Sequence, residues 1–264
     1  MNYMMRSMTW PEVAQAAREA RVVLLPVGSI EQHGPHLPLD LDLITAEYLA
    51  LEGARTASRL VGAQAAIIAP SIPFGGPERG MTDWPGTLTL RPHLLIDVLT
   101  DVTRGLVRSG FETIAVVNGC FGNLGAIDEA CRRLEAERPG AEVVHIPSIW
   151  QDREVVARVR ESGPGGTGHA CEIETSVALV VCPEQVHMDR AVDEIPSHPS
   201  GPISFDFTYP GEARDDIPFG ELTRSGVMGR ATLATQAKGE EILRAAVERV
   251  AREILALHRA AAPS

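Results

Sequence analysis

The stretch VVLLPVGSIEQHGPHLPLDLD, residues 22–42, decides the fold. It begins as an apolar run, and Pro26 and Gly28 disfavour a helix there, so the run predicts a buried strand. Everything after Gly28 is predicted to be a loop, stiffened by Gly34 and by two further prolines. In α/β sheets, ligands bind beyond the carboxyl ends of the strands. This loop is therefore the first candidate for a functional site.

The loop carries five side chains that bind metals or protons within twelve residues, namely Glu31, His33, His36, Asp40 and Asp42. A lone histidine beside one glutamate usually belongs to a solvated loop, because such side chains are mostly exposed. Five such groups following a buried strand make that reading unfavourable. Carboxylates combined with imidazole suit zinc, manganese or iron, and a carboxylate with two oxygens can bridge two ions. The segment therefore predicts a metal site.

Helical and strand patterns alternate along the rest of the chain, which predicts one α/β domain spanning residues 1–264. Helices are predicted at 9–20, 43–60, 93–109, about 124–136, 150–161 and 233–259, and strands at 65–72, 113–117 and 142–149. Residues 189–224 contain five prolines and predict an extended surface segment, either a lid or an oligomer contact.

Two later motifs also follow apolar runs or glycine-rich loops: VVNGCFGN at residues 116–123 and GHACEIETS at residues 168–176. The first repeats the arrangement of a strand, a polar glycine-rich turn and a helix. In the second, a helix beginning at His169 would place His169 and Glu172 on one face at i, i+3, with Glu174 pointing elsewhere. Cys120 and Cys171 lie inside these polar motifs, so they stand apart from the ordinary reading of a cysteine as a small buried hydrophobe.

The formal net charge of −11 makes nucleic acid and anionic membranes unfavourable partners. No stretch approaches the roughly 18 apolar residues needed to span a bilayer. The amino-terminal residues lack the pattern of a signal peptide, and four cysteines without CxxC spacing do not form a disulfide framework. These features predict a cytoplasmic protein that is large enough to be an enzyme.

The motifs PVGSIEQHGPHLPLDLD, WPGTLTL, VVNGCFGN, GHACEIETS and SGVMGRATLATQAKGEEIL together resemble the creatininase family of metal-dependent hydrolases over nearly the whole chain. The resemblance implies a three-layer α/β/α sandwich with a mostly parallel sheet, assembled as a homo-oligomer, often a hexamer. It also implies hydrolysis of C–N bonds in small cyclic amides and related compounds by two adjacent divalent ions.

Residue by residue, the resemblance makes Glu31, His33 and Asp42 metal ligands, with Asp42 as the bridging carboxylate. Cys120 stands where the family usually has a histidine ligand, and Gly122 stands where creatininase itself has a glutamate. Relatives with that glycine carry an HAGE motif, so Glu172 is the predicted replacement ligand. Because a thiolate suits zinc or iron better than manganese, Cys120 biases the site to zinc or leaves it with one ion or none.

Other roles follow from the same motifs. His169 matches a histidine that passes a proton to the leaving nitrogen, unless it is only a loop histidine bonded to the backbone. His36 and Asp40 are candidates for orienting the ligands, since a ligating histidine usually donates its second N–H to such a group. Met81 stands where many relatives have a histidine. Substrate contacts are predicted for Trp84, Asn118 and Phe121.

These residues predict a metal-dependent amidohydrolase in which an activated water attacks a small-molecule amide or cyclic amide. Creatinine itself is not favoured, because the glutamate at the position of Gly122 is missing. One alternative is hydrolysis of another cyclic carbonyl compound, such as a keto-inositol or a lactone. The other alternative is an altered member that serves as a binding or assembly subunit.

Overall fold

The structure is a computed structural model that describes residues 1–20, 22–76, 80–138, 140–197, 206 and 217–260. In chain order its helices and strands are α1 (Trp10–Ala20), β1 (Val22–Val27), α2 (Leu41–Val61), β2 (Ala66–Ile68), α3 (Pro92–Arg108), β3 (Thr113–Asn118), α4 (Leu124–Glu137), β4 (Glu142–Ile146), α5 (Arg153–Val159), β5 (Thr167–His169), α6 (Glu172–Val181), β6 (Asp193–Glu194), α7 (Phe219–Leu222), β7 (Met228–Arg230) and α8 (Gln236–Ala260).

Strand β1 lies inside a four-stranded parallel sheet with the order β2-β1-β3-β4. Its side chains alternate between two apolar layers. Val22 and Leu24 pack in a core shared with α2, α6 and α8, whereas Val23 and Leu25 pack in a second core shared with α1, α3 and α4. Both faces of the strand are covered, which explains why the run is apolar without interruption. The predicted three-layer α/β/α sandwich is confirmed.

The register of the sheet brings two polar loops to one edge. Val27 pairs with Asn118, so β1 and β3 end at the same level. The pairing continues one residue further, since the Gly119 amide donates to the Val27 carbonyl at 2.8 Å. A Cβ on Gly119 would lie 2.1 Å from the carbonyl oxygen of Asp42, at the start of α2. Only glycine therefore allows the second loop to touch the first turn of α2.

A second sheet covers this edge, and the sequence did not predict it. Strands β5, β7 and β6 form an antiparallel sheet with β7 in the centre. His169 ends β5, Ala170 follows in the left-handed region with φ of 48°, and α6 begins only at Glu172. The prediction of a helix from His169 was therefore wrong, and so was the i, i+3 relation between His169 and Glu172.

Other boundaries shift by smaller amounts. The predicted strand at 65–72 shortens to β2, Ala66–Ile68, and α2 begins at Leu41 so that Asp42 lies in its first turn. Half of the extended segment predicted at 189–224, residues 198–205 and 207–216, falls outside the described residues. Among the helices that the structure describes, none combines the length and apolar character needed to cross a membrane.

Candidate metal centre

The loop after β1 is held in place by backbone contacts with neighbouring segments. The Glu31 amide donates to the Leu39 carbonyl at 2.9 Å, and the Leu88 amide donates to the Ile30 carbonyl at 2.7 Å. The hydroxyl of Thr87 accepts a hydrogen bond from the Gln32 amide at 3.1 Å. The WPGTLTL motif thus clamps the backbone of the loop that carries Glu31, while the Glu31 side chain turns inward.

Six side chains meet at the edge of the parallel sheet in three overlapping groups, each with ligand atoms within 4.8 Å of one another. The groups are Glu31 with His33 and His169, Glu31 with Asp42 and Cys120, and His33 with Asp42 and Glu174. All of these side chains are buried except Glu174, which is half-buried. Asp42 belongs to the second and the third group, so its carboxylate lies between two sets of potential ligands.

His33 is oriented by its own loop. Its Nδ1 lies 3.1 Å from the Glu31 carbonyl, and because a carbonyl can only accept, Nδ1 must carry the proton. Nε2 then points to Asp42, with 3.3 Å between Nε2 and Oδ1. Burial opposes the charged ring, but Asp42, Glu174 and Glu31 outweigh burial and raise the pKa of His33 to about 10. The pocket therefore carries an excess of negative charge.

Two buried atoms of this pair support a cation site. Among the described residues, Oδ2 of Asp42 has no hydrogen-bond partner, and Nε2 of His33 has only its 3.3 Å ion-pair contact with Oδ1 of Asp42. A buried polar atom without a partner is costly, and native proteins usually satisfy such atoms with protein groups, water or an ion. An imidazole nitrogen and two carboxylate oxygens are suitable ligands for a divalent cation. The donor set therefore fits the metal that the sequence predicts.

His169 reaches the same cluster from the second sheet. Its ring lies 4.4 Å from that of His33, and its Nε2 lies 2.6 Å from the Gln32 carbonyl. The carbonyl requires a proton on Nε2, which leaves Nδ1 unprotonated in the neutral ring. Burial, with a further contribution from His33, lowers the pKa of His169 well below its usual value. The ring is thus neutral and offers one acceptor nitrogen.

Cys120 lies where the loop after β3 passes the cluster. Its Sγ lies 3.6 Å from Oε2 of Glu31, and the residue is 4% exposed. The side chain of Asn118 accepts hydrogen bonds from the Cys120 amide at 3.1 Å and from the Asn123 side chain at 3.2 Å. Asn118, predicted to contact substrate, therefore also supports the loop that carries the thiol.

Glu172, the predicted metal ligand, does not join the cluster in the structure. Its carboxylate is fully buried, accepts from the amides of Glu161 and Ser162 at 2.8 and 2.9 Å, and pairs with Nζ of Lys238 at 2.6 Å. Burial opposes ionisation, but Lys238 and the two amides outweigh it and lower the pKa of Glu172. Because its oxygens already have these partners, Glu172 joins α6 to α8 instead of facing the cluster.

Glu174, two residues further along α6, reaches the cluster where Glu172 does not. Its Oε2 accepts from the Ala170 amide at 2.5 Å, and its carboxylate joins His33 and Asp42. The left-handed conformation of Ala170 turns that amide back towards α6. The helix predicted from the sequence had placed Glu174 on a different face from His169 and Glu172. Glu174 could have been selected only if the sequence had shown that α6 begins at Glu172.

The remaining predicted residues lie around the cluster at greater distance. His36 is buried, and its Nε2 is 2.8 Å from the hydroxyl of Thr175, so it contacts α6 and not a ligand. Asp40 precedes α2 without capping it. These placements do not bring His36 or Asp40 to the ligands, and the Glu31 carbonyl orients His33 instead. Trp84 stacks edge-on against Phe219, whose ring in turn lies 5.2 Å from that of His169.

Met81 lies beneath the site. It is fully buried, and its Sδ accepts a hydrogen bond from the Gln32 side chain at 3.2 Å. Its other neighbours are the apolar side chains of Ile217, Phe219, Leu222 and Met228. Met81 therefore supports the loop through Gln32 and offers no imidazole to a ligand.

Two adjoining cavities open at the cluster. The smaller is lined by Glu31, Asp42, Gly119, Cys120, Phe121, Trp150, Gly168, His169 and Glu174. The larger encloses about 450 Å³, including space open to solvent, and shares Cys120, Phe121 and Trp150 with the smaller. Phe121 is 54% exposed, as suits a residue predicted to contact substrate. Trp150 also lines both cavities, but no local sequence pattern had distinguished it.

The fold and the cluster define an α/β protein whose parallel sheet ends in a buried group of carboxylate, imidazole and thiol side chains. The chain belongs to the creatininase family of hydrolases. The family model described as creatinine amidohydrolase matches residues 6–254. The recognition made from the sequence motifs is therefore confirmed.

Three relatives carry different descriptions. The creatinine amidohydrolase of Pseudomonas putida is 28% identical over 92% of this chain and 93% of its own. The 3-dehydro-scyllo-inosose hydrolase of Thermotoga maritima is 28% identical over 95% of this chain and 83% of its own. The mycofactocin precursor peptide peptidase of Mycobacterium tuberculosis is 30% identical over 88% of this chain and 84% of its own. Hydrolases of different substrates thus share this sequence pattern.

Solved structures agree with the fold. A structure described as "Creatininase Mn" has a TM-score of 0.78 and 26% identity, and the match covers 98% of this chain and 99% of that chain. A mutant creatininase of "Zn-Zn type" has a TM-score of 0.76 and 25% identity over the same shares. Structures of this family therefore carry manganese or zinc, which supports a divalent metal at the corresponding edge of the sheet.

Proposed function

We propose that the protein hydrolyses a C–N bond, in an amide or cyclic amide of a small molecule, with water activated by divalent ions at this cluster. The observation that carries the proposal is the position of Asp42 between two groups of ligands, with one buried oxygen that lacks a partner among the described residues. Glu31 and Cys120 would complete one ion site, and His33 and Glu174 the other. When bound, the ions would lower the pKa of a water molecule and polarise the substrate carbonyl.

The chain's own residues supply the proton transfer. His169 is neutral, and its Nε2 proton is held by the Gln32 carbonyl, so Nδ1 can accept a proton from the attacking water. The same nitrogen then returns that proton to the leaving nitrogen as the C–N bond breaks. Without this transfer, the amine would leave as an anion, so His169 is the proposed catalytic residue.

Cys120 favours zinc as the ion. Thiolate is a good ligand for zinc and a poor one for manganese, whereas the histidine usual in the family suits both. The Sγ of Cys120 lies within 4.8 Å of candidate ligand atoms of Glu31 and Asp42, which supports the thiol as a ligand of the same ion. We expect zinc, with iron or manganese as weaker alternatives, and we expect the active form to be a homo-oligomer.

A second candidate is hydrolysis of another cyclic carbonyl compound, such as a keto-inositol or a lactone. The similarity to the Thermotoga maritima hydrolase favours it, as does the replacement of a histidine by Met81. The same ions and the same water would serve this reaction. Assays on matched cyclic amides and cyclic ketones or lactones would separate the two candidates.

The first test is the metal content of protein purified without added metal and then reconstituted with zinc or manganese. We expect up to two equivalents of zinc per chain, weaker retention of manganese, and hydrolysis only by the loaded protein. A Cys120→His variant should retain manganese better than the wild type, with Cys131→Ser as a matched control that leaves retention unchanged. Failure to bind any divalent ion after reconstitution would sink both enzymatic candidates and leave a binding or assembly subunit.

A further inference from the structure

The lining of the larger cavity includes a positive charge. This cavity shares Cys120, Phe121 and Trp150 with the smaller one, whereas Gln151 and Arg153 line only the larger one. Among the described residues that line it, only Arg153 is charged at every pH near neutrality. The smaller cavity is lined instead by the carboxylates of Glu31, Asp42 and Glu174. Of the two adjoining cavities, one is therefore lined by acidic residues and the other by a guanidinium.

Arg153 is available to a ligand. It begins α5, is exposed, and has no ion-pair partner in the described part of the chain. The adjacent acid, Asp152, is already paired with Arg249, whose Nε lies 3.1 Å from it. By contrast, Arg158 on the same helix pairs with Glu241. Of these two α5 arginines, Arg153 faces the cavity, and no carboxylate of the described residues neutralises it.

We propose that this cavity binds the anionic end of the substrate, which is an amide that also carries a carboxylate. The proposal rests on the proposed function and adds the substrate class. The guanidinium of Arg153 would hold the carboxylate through paired N–H donors, while Phe121 and Trp150 flank the middle of the molecule and the scissile carbonyl reaches the cluster. In a chain with a net charge of −11, this local positive charge selects for an anion that most of the surface would repel.

The larger cavity is open to solvent on one side. The open side leaves room for substituents of different length between the amide and the carboxylate. N-acylated amino acids have this arrangement of an amide, a short linker and a carboxylate, and they are suitable probes.

The test compares N-acyl amino acids with their primary amides, pairs that have the same shape and differ by one negative charge. Binding is measured calorimetrically on metal-free and on zinc-loaded protein. We expect the carboxylates to bind about tenfold tighter than the amides, a difference of about 1.4 kcal/mol. Arg153→Gln should abolish this preference, and Arg153→Lys should keep part of it. Arg158→Gln, on the same helix, should leave it unchanged.

The inference is overturned if no carboxylate in the panel binds more tightly than its amide. It is also overturned if Arg153→Gln prefers the carboxylates as strongly as the control variant Arg158→Gln does. The proposed function is tested separately by hydrolysis of either member of a pair after zinc loading. Metal-dependent cleavage without a charge preference would leave the proposed function standing and remove this inference. If the protein binds no metal but still prefers the carboxylates, this inference stands and the proposed function falls.

Discussion

Two glutamates on α6 provide the most discriminating test, because the structure gives opposite roles to Glu172 and Glu174. Glu172→Gln removes a buried charge that pairs with Lys238, whereas Glu174→Gln removes a charge from the cluster. Breaking a buried ion pair costs about 3–5 kcal/mol when the remaining charge has no other partner. Lys238 retains Glu161 and the Leu233 carbonyl, both at 2.7 Å, so we expect about 2–3 kcal/mol for Glu172→Gln.

For a domain of this size, each kcal/mol lowers Tm by about 2–4 °C, so Glu172→Gln should lower the Tm of the metal-free protein by about 4–12 °C. Its zinc stoichiometry should remain that of the wild type. Glu174→Gln should change the metal-free stability little, because glutamine still accepts from the Ala170 amide. It should weaken one zinc site by more than about 100-fold, since even residues that only support a ligand account for 10–100-fold.

Both variants are measured without metal by thermal and urea unfolding, since bound zinc would add its own stabilisation. Zinc is then titrated and counted by elemental analysis. The assignment is refuted if Glu172→Gln loses zinc while its metal-free Tm stays unchanged and Glu174→Gln binds zinc as the wild type does. That result would restore Glu172 as the ligand predicted from the sequence motif.

Two further predictions concern the frame around the site. Gly119→Ala should destabilise the protein by about 3 kcal/mol or more and impair zinc binding, because its Cβ would lie 2.1 Å from the Asp42 carbonyl. Gly125→Ala, in α4 with open space around it, should instead raise stability by about 0.5–1 kcal/mol in urea unfolding; equal effects of the two substitutions would contradict this. The lowered pKa of Glu172 means that the unfolded chain binds more protons in acid, so its stabilisation is present above about pH 4.3 and declines as pH falls further. Urea midpoints between pH 3 and 6 should fall less steeply for Glu172→Gln than for the wild type, and equal slopes would refute the linkage.

The parallel sheet could be predicted because its signals are local. An uninterrupted apolar run is what a strand covered on both faces requires, and β1 and β3 both have one. The polar loop that follows each strand then lies at one edge, because parallel strands share their direction. The proximity of residues 31–42 to Cys120 therefore follows from the order of apolar runs and polar loops along the chain.

The choice between Glu172 and Glu174 could not be made in the same way. It depends on where α6 begins and on the left-handed turn at Ala170, and alanine is not a residue that predicts such a conformation. It also depends on Lys238, which lies 66 residues further along the chain. Sequence patterns did not select Trp150 and Arg153 because they line a cavity that separate segments of the chain form together. No spacing of residues along the sequence predicts such a cavity.

The path of the loop after β3 does not depend on the side chain at position 120. Asn118 and Asn123 hold the loop with their side chains, and Gly119 holds it with its backbone, so none of these contacts uses the thiol of Cys120. Under the proposed function, a substitution at position 120 therefore changes the preferred ion while the loop keeps its path. Metal preference could then evolve independently of the loop that presents the ligand.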